Sequence, residues 1–160
     1  MHNYKASVPV VVSWILLILH WGFVSVHYWE LPSVIPIHFD VNGEADSYGS
    51  RAMLWLLPAI NTILFTVLTV LSRYPNRLNY PVSLTPSNTP ALYRLGTNIL
   101  QSLQLSITIL FSLITWQTAR IAMGYSDGLG SWMLPLVLSL IFLPLLVFVY
   151  RCYTIREEGR

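Results

Sequence analysis

The side chains best suited to chemistry crowd into one short stretch. His27, Glu30, His38, Asp40, Glu44 and Asp46 all fall between positions 27 and 46. His27 and Glu30 are three apart, so at a helix end they are neighbours. On a strand His38 and Asp40 share a face. Asp46 comes after Asn42-Gly43, a strong tight-turn signal, and returns beside them. Imidazole with carboxylates is a set that holds zinc or manganese, with His27, His38, Asp40 and Asp46 as the ligands. No HExxH or HxxEH pattern accompanies them. The alternative is that His38 and Asp40 pair with each other, with Arg51 or with backbone groups, and pin the loop to the helix ends. A third use is pH sensing or direct ligand contact. No nucleophile elbow and no phosphate-cradling glycine loop are read. The single Cys152 lies far from the loop histidines, so no catalytic residues are assigned and an enzyme is the less favoured reading. One cysteine also rules out an internal disulfide. It is read as an unmodified thiol near the headgroups, with palmitoylation as the alternative.

A second set is polar but surrounded by apolar sequence. His20 stands about two-thirds along an apolar run with no charged residue to pair with it, a functional hypothesis by default in a membrane helix. A neutral histidine hydrogen-bonded to Gln101, Gln104 or a threonine of the third helix explains it as well, and that structural reading is the favoured one. Thr97, Gln101, Gln104, Thr108, Ser112, Thr115 and Thr118 recur at steps of three or four, so they draw one stripe down a helix. In lipid such a stripe must face protein or water. It either packs against other helices or lines a solute path. Asn61 lies one turn after Pro58 and is expected to satisfy backbone groups freed by a proline kink.

These residues are carried by four stretches without Lys, Arg, Asp or Glu, at 6–29, 52–72, 95–119 and 128–150. Only 10% of the 160 residues are charged, and mean hydropathy is +0.57. A soluble domain carries about 25% charged residues, and a helix crosses about 30 Å of hydrocarbon with roughly 20 apolar residues. The reading is therefore an all-α polytopic membrane protein. It has one membrane domain over 1–160, with spans at about 8–29, 51–71, 92–120 and 131–150. A soluble fold, a nucleic-acid partner and a disordered chain are excluded by the same composition.

The first apolar run is too long for a signal peptide and is read as a retained span. Lys5, Arg73, Arg77, Arg94, Arg151, Arg156 and Arg160 fall on one side of such a bundle, and Arg51 and Arg120 on the other. That bias puts both termini in the cytoplasm and the loops at 30–51 and 121–130 outside. Pro9 and Pro90 suit first helical turns, with Thr89 as N-cap. Ser50 is the expected N-cap of the second span. The second loop is expected to be extended, Pro135 and Pro144 to bend the last helix, and the tail from Thr154 to fray. The first outer loop carries Glu30, Asp40, Glu44 and Asp46 against Arg51, a net −3 with neutral histidines.

The loop residues also carry a resemblance. Leu31-Pro32, Ile35-Pro36, His38-Phe39, Gly43, Asp46 and Gly49-Ser50-Arg51 resemble the LP..IPxHFxxxGxxDxxGSK hallmark of a bacterial membrane domain of unknown function, with arginine for the usual lysine. That domain occurs in SdpI-like proteins, whose namesake gives immunity to a secreted toxic peptide and signals at the membrane. The resemblance covers about 10–71. The Arg-Thr-x-Trp-like motif of longer members has no match here. It implies a motif loop of Pro36, His38, Phe39, Asp40, Gly43, Asp46, Gly49, Ser50 and Arg51, in a bacterial inner membrane.

The expected function is a non-enzymatic membrane sensor or immunity-type protein that takes a peptide or protein at its outer loop. A small transporter or channel subunit using the helix-three stripe is the second reading. A metal-dependent membrane enzyme is the third. Membrane lipid and a homo-oligomeric partner are the other expected associations, and no cofactor is expected beyond the metal ion of the third reading.

Overall fold

A computed structural model describes residues 7–158, so Lys5 and Arg160 of the charge bias lie outside it. Four helices are each long and apolar enough to cross a membrane. Helix α1 is Val8–His27, α2 is Leu56–Leu71, α3 is Thr89–Ala122 and α4 is Met133–Glu158. Between α1 and α2 stand two antiparallel strands, β1 (Val34–Phe39) and β2 (Ala45–Ser50).

The helices run up and down. At one end Ser7 Oγ donates to Gln101 Oε1 at 2.7 Å, and Thr97 Oγ1 reaches the Ser72 carbonyl at 3.3 Å. The same end holds a small core of Val82, Leu92 and Cys152. At the other end Val24, Leu31, Ile35, Leu54 and Ala119 form a second core, drawn from α1, the hairpin, the start of the second span and α3. Helix α3 is the pivot that α1, α2 and α4 all touch. Its 34 residues rise about 50 Å, more than a bilayer core needs. The excess carries its first turns and Arg94 beyond the slab.

Several local expectations change. Ser50 does cap, accepting from Ala52 N at 3.3 Å, but the segment it caps is a 3-10 helix, Arg51–Trp55. The α-helix begins only at Leu56, so Pro58 lies in its first turn. There its missing N–H has no intrahelical carbonyl to reach, and no kink is needed. Asn61 accordingly has no freed backbone group to satisfy. Asn88, not Thr89, is the N-cap of α3, and Pro90 sits in the first turn. The tail from Thr154 is helical through Glu158 instead of frayed.

The second loop is not merely extended. It contains a 3-10 turn, Pro75–Arg77, and folds back onto the helices. Tyr80 donates to the Pro75 carbonyl at 2.9 Å and packs against Tyr93 and Phe148. Burial, and then the neighbouring Tyr93 and Cys152, push its phenol up to about 12. Gly96 leaves room for it, since a Cβ there would collide with the Tyr80 hydroxyl and Leu78. Cys152 is fully buried under this loop, which corrects its placement among the headgroups.

Candidate functional site

The hairpin forms because its sequence changes period. Val34–Phe39 buries Ile35 and Pro36 and exposes Ile37 and His38. Arg51 N donates to the Ser33 carbonyl at 3.0 Å, making 33 and 51 a hydrogen-bonded pair. Antiparallel pairing alternates, so Ile35 and Gly49 form the next such pair, and Pro36 and Tyr48 face each other in a non-bonded pair. A proline in that position removes no ladder hydrogen bond. Past Pro36 the register slips at His38 and again at Phe39. The slip breaks simple alternation, and with it the expectation that His38 and Asp40 share a face.

Each side chain consequently finds a different partner. His38 Nδ1 pairs with Asp46 Oδ1 across the strands at 2.6 Å, both exposed. Asp40 stands at the turn instead. Its carboxylate accepts from the backbone N–H of Asn42 at 2.9 Å and of Glu44 at 2.8 Å, and from the Asn42 amide at 3.0 Å. The Glu44 backbone contact above all, with help from Asn42 and Gly43, holds its carboxyl below the usual range. His27 pairs with Glu30 at 2.7 Å. Among the described residues no three His, Cys, Asp or Glu side chains gather where an ion could be held. The set His27, His38, Asp40 and Asp46 is therefore split into two separate histidine–carboxylate hydrogen bonds, His27 to Glu30 and His38 to Asp46, and one turn cap.

Arg51 fixes the loop by another route. Its guanidinium donates to the Leu31 carbonyl at 3.0 Å and lies over the rings of Tyr28 and Trp29, 5.0 and 5.3 Å from their centroids. Stacking plus a directed N–H suits arginine better than lysine. Gly49 faces Ile37 so closely that a Cβ would come within 2.9 Å of it. Phe39 is half-buried at the end of β1.

The tip of the hairpin is docked. Glu44 bridges Gly128 in the loop between α3 and α4, and Leu129 N donates to the Gly43 carbonyl at 2.8 Å. Gly43 has φ +83°, the left-handed region that favours glycine. A Cβ on Gly128 would lie 2.6 Å from the Gly43 oxygen. Gln117, at the top of α3, secures the receiving loop by donating to Gly128 O at 2.9 Å and Ser126 Oγ at 3.0 Å. Sequence reasoning does not single out Gln117, Ser126, Gly128 or Leu129. The signal that could have found them is the glycine pair Gly128 and Gly130, the counterpart of Asn42-Gly43.

The spacing G-x-S-x-G does occur here, at Gly124-Tyr125-Ser126-Asp127-Gly128. A nucleophile elbow needs a strand leading into a helix with the serine exposed. This segment instead joins two helices, and the Ser126 hydroxyl donates to Gly128 O at 2.9 Å.

Below the cap lies the intramembrane set. His20 meets Thr115 Oγ1 through Nε2 at 2.7 Å and Asn61 Nδ2 through Nδ1 at 3.2 Å. With the Asn61 amide donating, the neutral ring carries its proton on Nε2 and donates to Thr115. One histidine thus ties α1, α2 and α3 together. Gln104 accepts from Thr69 at 3.4 Å, and Thr108 Oγ1 donates to the Gln104 carbonyl at 2.8 Å. Gln101, Gln104, Thr108, Thr115 and Thr118 are all buried between the helices, and the Gln104 Nε2 has no hydrogen-bond partner among the described residues. His20 reaches Thr115 and Asn61, not Gln101 or Gln104.

Comparison with known proteins bears on the same region. Residues 15–62, from α1 through the hairpin into α2, match the family described as a domain of unknown function, DUF1648. A protein of Archaeoglobus fulgidus, itself described as uncharacterized, is 35% identical over 75 residues. The match covers 42% of this chain, which spans 41% of that relative's length. No solved structure matches. The chain is thus a polytopic membrane protein, similar from within α1 through the hairpin to the first turns of α2 to a family whose activity its description leaves open.

Proposed function

We propose that this is a non-enzymatic membrane sensor or immunity-type protein of the SdpI-like kind, which takes an extended cationic peptide on the outer edge of its hairpin. The carrying observation is that, among the described residues, β2 has no sheet partner on its far side beyond the Glu44–Gly128 bridge at the tip, and Asp46, Ser47 and Tyr48 along that open stretch are exposed. An unpaired edge offers main-chain hydrogen bonds to an added strand. Glu44 and Asp46 beside it favour lysine and arginine. Docking of the tip onto Gly128 supports the reading, because a preordered edge loses little entropy on binding. In this proposal the hairpin end faces away from the cytoplasm of a bacterial cell and both termini face into it, as the arginine bias implies.

The test is binding of a synthetic peptide of alternating lysine and valine to the purified full-length protein. Glu44→Gln with Asp46→Asn should weaken binding about tenfold, and raised salt should do the same. A probe methylated on alternate backbone nitrogens should bind poorly to the unaltered protein. Asp40 is left in place because its carboxylate builds the turn. If both arms leave binding unchanged, the hairpin edge is not a recognition surface.

A further inference from the structure

The opposite end of the molecule carries a groove that neither the hairpin nor the polar stripe uses. It encloses about 470 Å³ and is lined by Thr66, Val67, Val70, Leu71, Tyr74 and Arg77. The first four lie on α2 inside the candidate span Arg51–Leu71. Their spacing, continued to Tyr74, tracks one helix face. The Thr66 hydroxyl donates back to the Thr62 carbonyl at 2.8 Å, so its proton is used within the helix. Val67 and Val70 are about half exposed. The wall inside the slab is therefore apolar.

The mouth of the groove is different. The 3-10 turn Pro75–Arg77 comes directly after α2, and Arg77 N donates to the Tyr74 carbonyl at 2.9 Å. That turn folds Arg77 back over the end of the helix. Arg77 and Tyr74 are both exposed, and among the described residues the Arg77 guanidinium has no carboxylate partner. The sequence from 47 to 126 contains no acidic residue at all. Among the described residues, a cation with no carboxylate beside it thus stands just past the end of the candidate span, next to an apolar groove and an exposed tyrosine, where aromatic and basic side chains favour the membrane interface.

We infer that this groove is a binding site for an anionic glycerophospholipid. The phosphate is received by Arg77, and one acyl chain lies along Val67, Val70 and Leu71. An amphiphile with net negative charge is the chemistry that satisfies both halves: a soluble anion leaves the apolar wall uncovered, and a zwitterionic lipid already carries its own cation against the phosphate, so it gains less from Arg77. The proposal is independent of the hairpin's ligand and of which face of the membrane each end occupies.

Native mass spectrometry of the full chain, titrated with dioleoyl phosphatidylglycerol or dioleoyl phosphatidylcholine, tests it. Phosphatidylglycerol should bind about fivefold more tightly, the effect of one arginine at a lipid surface. Arg77→Gln should erase that preference, Arg77→Lys should keep most of it, and Arg73→Gln, outside the groove lining, should leave it intact. Filling the channel with Val70→Trp, or with Val67→Phe as a second variant, should weaken both lipids. Circular dichroism confirms that each variant keeps its helices. Free glycerol phosphate should not displace bound lipid. Equal affinity for the two lipids, equal loss in the Arg73 and Arg77 variants, or displacement by glycerol phosphate overturns the site.

Discussion

Asp40 shows how one carboxylate can set a turn without touching a ligand. It accepts two backbone N–H bonds and one amide bond within four residues of itself. These contacts need the ionised form, so they hold its carboxyl below the ordinary value of 3.8. A depressed folded value means that this stabilisation is present above the unfolded value and is lost as pH falls through the folded one. The part of the turn's order that Asp40 supplies should therefore be complete from neutral pH down to about 4 and weaken below. Amide proton shifts of Asn42 and Glu44, tracked by NMR through that range, should titrate together, and Asp40→Asn should remove the titration. If the two shifts are flat down to the acid limit in the unaltered protein, the carboxylate is not what orders the turn. His20 works differently, by position. It has no charged partner, and its two ring nitrogens bridge three helices through neutral groups. Contacts of this type contribute about 0.6–1.7 kcal/mol each in membranes.

At the scale of elements, the hairpin and the α3–α4 loop form one cap joined through two glycines. The close approach of Gly128 to the Gly43 carbonyl leaves no space for a side chain. Gly128→Ala should push the two loops apart at a cost of about 1–3 kcal/mol. Hydrogen exchange at the Leu129 amide, which donates to Gly43, should then rise while exchange in the α3 interior stays unchanged. Unaltered protection at Leu129 would mean that the tip is held by other contacts. The elements themselves were legible to different degrees. The hairpin could be read from Ile35, Ile37 and Phe39 together with Asn42-Gly43, because a tight turn between alternating residues has few other solutions. Its register could not, since two slips near His38 move Asp40 off the strand face and hand His38 to Asp46. Helix ends shifted for a similar reason. Pro58 reads as a kink only if the helix begins at Arg51, and the 3-10 segment moved that start to Leu56.

The whole molecule is polarised. The hairpin end carries a net acidic cap with Arg51 and Arg120 as its only basic residues of the Lys/Arg type, and the other end carries Arg73, Arg77, Arg94, Arg151 and Arg156. The hairpin lies outside if the arginine bias governs insertion. A cysteine introduced at the exposed Ser47, in a Cys152→Ala background, should react with a membrane-impermeant maleimide in intact cells. Reaction only after permeabilisation would reverse the orientation and remove an external peptide from consideration.

Composition alone determined that this chain lives in a bilayer as four helices, because 20-residue runs without charge have no other stable place. The period of the polar stripe likewise fixed that one face of α3 must turn inward, a consequence of helix geometry that needs no partner to be known. Which partner each polar group met was decided only by tertiary structure. His20 could have reached any residue of the stripe, and the lateral packing of α1 and α2 chose Thr115 and Asn61. The same holds for the docked hairpin tip and the burial of Cys152. Each joins segments distant along the chain, and spacing within one segment carries no information about where another segment will lie.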